Sequence, residues 1–208
     1  MTLARMIFTF AGDVKLLILL VTMIVTIVIG LGLPTSAAYV LSAISAAPAL
    51  TMAGIDVLPA HFFVFYFGCM SAITPPVATG AYTAAALSGG NPNTISFIAM
   101  RLAIAGFVVP FVFIYQPDLL LGENTDVVRT AFVFLTTLVC LVYFSAACEG
   151  AFFATVGVLK RLLYLAIALA LVWPGNMVVS AIGIALAIGT FTLEFLQHKR
   201  TKPAPRAS

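Results

Sequence analysis

Two helix breakers lie inside apolar runs of this chain, and they restrict its fold more than any other feature. The first is Gly30-Leu31-Gly32-Leu33-Pro34-Thr35-Ser36; the second is Ser71-Ala72-Ile73-Thr74-Pro75-Pro76. Pro34 has no backbone N–H and disfavours helix at the residue before it, while Gly30 and Gly32 tolerate positive φ. Thr35 or Ser36 can cap a new helix beyond the break. Pro75 and Pro76 remove two consecutive donors and free carbonyls of the preceding turn.

The cost of such breaks depends on the solvent around them. The chain is 62% hydrophobic and 8% charged, with a mean hydropathy of +1.16. Several stretches approach the roughly 20 apolar residues that cross a bilayer as a helix. The fold class is all-α integral membrane; a transmembrane β-barrel is excluded because the apolar runs are continuous rather than alternating. In hydrocarbon an unsatisfied backbone group costs several kcal/mol, so broken backbone survives only where protein, water or an ion meets it.

Charge adds topology rather than chemistry. The formal charge is +3, and six of the ten basic residues are Lys160, Arg161, Lys199, Arg200, Lys202 and Arg206. That clustering is a topology signal and not a nucleic-acid footprint. The first apolar run leads into a breaker rather than a small-residue cleavage site, which argues against a cleavable signal peptide. Cys69, Cys140 and Cys148 have no CxxC spacing and read as buried thiols, not as metal ligands or a disulfide.

Along the chain, residues 1–13 read as an interfacial or linker segment, and 14–30 as an apolar arm. The second arm, about 37–50, is rich in Ala and Ser. Fourteen residues reach only about 21 Å, short of the roughly 30 Å core, so 14–50 reads as a re-entrant hairpin. Two full crossings would return the chain to the same side equally well. Residues 51–60 form a loop, and 60–88 a broken helix with halves 60–72 and 77–88. After a turn at 89–93, the pattern predicts a helix over 94–115 with a kink at Pro110, closing a unit of 14–122. An acidic loop covers 116–127. A C-terminal extension, 123–197, holds helices over 128–148, 162–173 and 177–196, with a loop over 149–161. About four transmembrane helices follow the broken helix, and 198–208 read as a disordered basic tail. Placing the tail and Lys160-Arg161 in the cytoplasm makes the hairpin enter from outside. Arg5, Lys15 and Arg129 are exceptions to that orientation.

A hairpin tip and an unwound helix centre near the midplane present carbonyls, hydroxyls and half-helix N-termini to each other. Carbonyl and hydroxyl oxygens suit a small hard cation such as Na⁺; helix N-termini suit a carboxylate. The candidate ion and substrate ligands are Gly30, Gly32, Pro34, Thr35, Ser36, Ser71, Thr74, Pro75 and Pro76. Within that set Gly32, Thr35, Ser71 and Thr74 are the Na⁺ candidates. The plain alternative is a pair of packed kinks. Arg101 could face a substrate cavity, though snorkelling to the inner interface competes. His61 reads as a capping or interfacial residue. Tyr39, Tyr66 and Tyr82 could line a cavity but pack by default. Ala181, Ala185 and Gly189 form a small-residue face for helix packing. Enzyme readings fare badly: there is no HExxH, no GxSG around Ser88-Gly89 and no intramembrane pair of acids.

Three stretches, GLGLPTSAAYVLSAISAAPAL, AHFFVFYFGCMSAITPPVATGAYTAAALSGGNP and RLAIAGFVVPFVFIYQPDLLLG, resemble the C-terminal part of TRAP transporter large permeases, and most of all the fused permease of the TAXI type. The resemblance covers about residues 14–122. It implies an elevator-type secondary transporter in which this chain is the second inverted repeat. It also implies import of organic acids (dicarboxylates, 2-oxoacids or acidic amino acids) by symport with an ion, generally Na⁺, and no other cofactor. The implied partners are an extracytoplasmic solute-binding protein, an N-terminal permease half or small permease segment, and the lipid bilayer. The implied location is a bacterial-type cytoplasmic (inner) membrane, with the C-terminus cytoplasmic. The family carries two hairpin-and-break units and this chain has one, so the expectation is a segment that does not transport alone. The competing reading is a non-transporting scaffold or truncated remnant.

Overall fold

In the computed structural model, residues 3–121, 127–152, 157–172 and 177–201 are described. They are helical, with no strand among the described residues, and they divide into two compact units, Met1–Glu123 and Asn124–Ser208.

The first unit is built round one helix. In order it contains α1 (Leu3–Ala11), α2 (Lys15–Gly30), α3 (Thr35–Ser45), α4 (Ala47–Met52), α5 (Val57–Met70), α6 (Thr79–Ser88), α7 (Pro92–Leu102) and α8 (Val109–Tyr115). The hairpin arms α2 and α3 both pack on α5, and α8 covers another of its faces. Ala60, Phe63, Val64 and Phe67 of α5 are fully buried. Phe63 meets Phe67 at 4.9 Å and Phe111 at 5.5 Å between ring centres, edge to face, which suits the ring quadrupoles. Gly68 lets α3 come close: a Cβ there would lie 3.6–3.7 Å from the Ala38 and Tyr39 backbone. Small residues at such crossings gain van der Waals contact, which must do the work where lipid removes the hydrophobic drive between helices.

Several expectations are corrected. Residues 1–13 are no linker: α1 packs on α2 and α4 through Ala4, Ile7 and Ala11, spaced on one helical face. Neither Thr35 nor Ser36 caps α3; Pro34 holds that position with φ −58° and ψ 146°, and no side chain bonds the end. The second arm is longer than composition suggested. Thr35–Met52 is 18 residues, long and apolar enough to cross a membrane, so arm length does not separate a re-entrant hairpin from two crossings. The helix over 94–115 is broken at Ala103, with its two parts bent by 56°, and not at Pro110. Pro110 stands second in α8, where its missing N–H costs nothing; it blocks helix upstream, and 104–108 tighten into a 3₁₀ turn. Gly106 in that turn lies beside the end of Met70, whose Cε would be 2.7 Å from an added Cβ.

The second unit holds α9 (Val127–Glu149), α10 (Val158–Val172) and α11 (Met177–Thr201). Lys160 and Arg161 lie inside α10 rather than in a loop, because the helix starts at Val158. Likewise α11 runs to Thr201, past the start of the expected basic tail; 202–208 lie outside the described residues. Lys160 Nζ donates to Glu194 Oε1 at 2.6 Å and Tyr164 Oη donates to the same oxygen at 3.1 Å, tying α10 to α11. Tyr143 Oη donates to the Ala187 carbonyl at 2.7 Å, tying α9 to α11. The packed face of α11 is Gly183 and Ala187, not Ala181, Ala185 and Gly189: Ala181, Ala185 and Gly189 are exposed, and a Cβ on Gly183 would lie 3.2 Å from Leu171. Small residues occur on both sides of α11, so composition alone does not choose the face.

Candidate functional site

The first breaker ends α2 with a tight turn. Leu31 N donates to Val28 O at 3.3 Å and Leu33 N to Gly30 O at 3.1 Å, and the chain turns through Gly32 at φ +75°. An L side chain is disfavoured there. Pro34 then starts α3, its carbonyl accepting from Ala38 N at 2.9 Å. Gly32, Pro34, Thr35 and Ser36 are exposed, whereas Gly30 is buried.

The second breaker ends α5. A 3₁₀ turn over Ser71–Ile73 is followed by extended backbone at Thr74 (ψ 125°), a cis Pro75–Pro76 bond, and the start of α6 at Thr79. Thr74 N donates to Ser71 O at 3.2 Å, and Thr74 Oγ1 donates to Met70 O at 2.8 Å. The side chain of Thr74 thus engages a carbonyl of the preceding turn, a role that the nearby prolines cannot fill.

The fold brings the two breakers together. Ser71 is fully buried, and its hydroxyl lies 2.6 Å from Gly68 O and 3.0 Å from Gly30 O. The single proton is shared between a carbonyl of its own helix and one at the end of α2. Gly30 is glycine for this reason: an added Cβ would lie 2.5 Å from Ser71 Oγ and 2.8 Å from Ser71 Cβ. A second contact joins Gly32 to Val77, whose Cγ1 would be 3.3 Å from a Cβ on Gly32. The N-termini of α3 and α6 each begin within three residues of that contact. Their first turns carry N–H groups with no partner inside the helix and positive partial charge.

The sequence-derived candidates therefore separate by environment. Thr35 and Ser36 stand exposed beside the turn, Thr74 is half-buried at the break, Pro75 is half-buried, and Pro76 is exposed. Ser71 and Gly30 form the buried link beneath them. Arg101 is exposed in the last turn of α7, where a cation complements the helix dipole. His61 is no cap: it lies a turn inside α5 and its Nδ1 is 3.1 Å from Tyr39 Oη, joining the second arm to α5. Tyr39 also meets Phe65 edge to face. Gly68 and Val77 were missed as site-forming residues. An isolated glycine in a helix is itself a signal of close backbone approach, and Gly68 carried it.

The sequence matches the family model of the tripartite ATP-independent periplasmic transporter, DctM component, over residues 1–125. The chain belongs to the DctM family. DctM proteins are integral membrane permeases of TRAP transporters, a transport family and not an enzymatic one, and its apolar helices fit that class. Among the described residues, two helices are long and apolar enough to cross a membrane, or three if the bent α7–α8 pair counts as one span. No curated protein and no solved structure matches the chain.

Proposed function

We propose that the joined breakers form half of an ion and substrate site in a TRAP permease. The observation that supports this best is the Ser71 hydroxyl bound to the Gly30 carbonyl, which joins the break that carries Thr74 to the end of α2, from which the turn leads to exposed Thr35 and Ser36. Hydroxyl and carbonyl oxygens without a carboxylate among them suit a monovalent hard cation, with Na⁺ the coupling ion. The first turns of α3 and α6 offer N–H donors to the carboxylate of an organic acid. On this reading Thr35, Ser36 and Thr74 contact ion or substrate, Ser71 positions them, and Gly32 shapes the turn. TAXI-type architecture, placement as the second repeat, and delivery of substrate by an extracytoplasmic binding protein belong to the same proposal. So do an inner-membrane location with a cytoplasmic C-terminus, and a complementary hairpin-and-break unit.

Thr35→Val and Thr74→Val, each in the assembled transporter in liposomes with its binding protein, test the site. Each variant should raise the Na⁺ concentration for half-maximal uptake by about tenfold, equivalent to about 1.4 kcal/mol of lost ion binding. Unchanged Na⁺ dependence in both removes them from the ion's ligands. Liposomes holding this chain alone, with the binding protein and an ion gradient, should take up no substrate; uptake would sink the idea of a half-site.

A further inference from the structure

Three hydroxyls of the first unit are fully buried and make no hydrogen bond within the protein: those of Thr22 and Thr26 on α2 and Ser42 on α3. A buried helical hydroxyl usually donates to a carbonyl three or four residues back. Ser45 on α3 does so to Leu41, and buried Thr136 and Thr137 on α9 both do so to Val133. The local solution is thus in use elsewhere in this chain, while these three hydroxyls lack it. Leaving a buried hydroxyl unpaired is costly, so each calls for a partner.

Register places them on one seam. Gly30 and Ala38 face each other across the hairpin, 3.4 Å from an added Cβ to the Ala38 Cβ. The arms run antiparallel, so one turn away from the tip Thr26 stands level with Ser42, and Thr22 follows one turn further along the same face of α2. Gly68 holds α5 against Ala38, and Val64, one turn earlier on α5, is fully buried at that level. Thr26 and Ser42 thus share a level of a three-helix seam without bonding to each other directly.

We propose that this seam binds a buried water bridging Thr26 Oγ1 and Ser42 Oγ, with Thr22 as its third neighbour. Two to four polar partners are what an internal water requires, and three neutral hydroxyls supply them. A cation is the poorer guest. Thr22, Thr26 and Ser42 lie within intact helices whose carbonyls are already engaged, and three hydroxyls alone cannot replace a full hydration shell in a low-dielectric interior. The water joins the hairpin arms through exchangeable hydrogen bonds below the fixed Ser71–Gly30 link. This rests on helix packing and is independent of any transport activity.

The test is a double-mutant cycle on the full chain in detergent micelles, read by thermal loss of helical circular dichroism. Thr26→Val and Ser42→Ala should each lower the Tm by about 2–4 °C, and the double variant by no more than the larger single effect, because both remove one bridge. Thr26→Ser, which keeps the hydroxyl, should melt close to the parent. Additive effects, or a Tm raised by Thr26→Val as a dry unpaired hydroxyl would give, overturn the proposal. An experimental density map that resolves ordered waters should show one within reach of both oxygens; a dry seam overturns it.

Discussion

Gly30 and Gly32 differ by two positions and are glycine for different reasons. Gly30 has no room, because Ser71 occupies the place a Cβ would take. Gly32 has a positive φ, which costs an L residue about 1–2 kcal/mol. The two causes predict different rescues. Gly30→Ala should destabilise the first unit by about 1–3 kcal/mol through overpacking, and Ser71→Gly in the same chain should recover most of the loss. Gly32→Ala should lose about 1 kcal/mol, and no change at Ser71 should restore it. Thermal melts of the three variants check both. If Ser71→Gly rescues Gly32→Ala as well, the steric assignment is wrong.

At the scale of elements, the breaks at 31–34 and 74–78 were legible because Gly and Pro act on their own backbone. The break at Ala103 was not. It carries no proline: the 3₁₀ turn of 104–108 stands between it and Pro110, and Gly106 in that turn lies beside Met70 of α5, a proximity between distant segments that local sequence does not show. Pairing of the two breakers was legible only as a pattern. The Ser71–Gly30 bond joins residues 41 apart, and neither the buried serine nor the reason for Gly30 shows in local sequence. The face of α11 was misread because five small residues alternate along it at 181, 183, 185, 187 and 189. Gly183→Val should therefore lower the Tm of the second unit by several degrees by striking Leu171, while Gly189→Val, with nothing within 4 Å of its Cβ, should leave it within about 0.5 kcal/mol of the parent. Equal effects at both positions would return the packing to the other face.

At the scale of the molecule, the family match ends close to where the first compact unit ends, at residues 125 and 123. Each unit has its own core, centred on α5 in one and on Tyr143, Tyr164 and Leu171 in the other. Cutting the chain at a protease site inserted between 122 and 126 should leave two cooperative melts, and Glu194→Gln should lower only the one belonging to the second unit. A single melt lost on cleavage would show that the cores are not separate. Within the first unit the start of α2 meets the end of α8: Lys15 Nζ stands 5.3 Å over the Tyr115 ring. During synthesis about a hundred residues separate those two side chains, roughly 5–20 s of elongation. The Gly30–Ser71 pair can form well before that. The breakers can therefore dock before the contact between Lys15 and Tyr115 is possible, which makes that contact one of the last fastenings of the first unit.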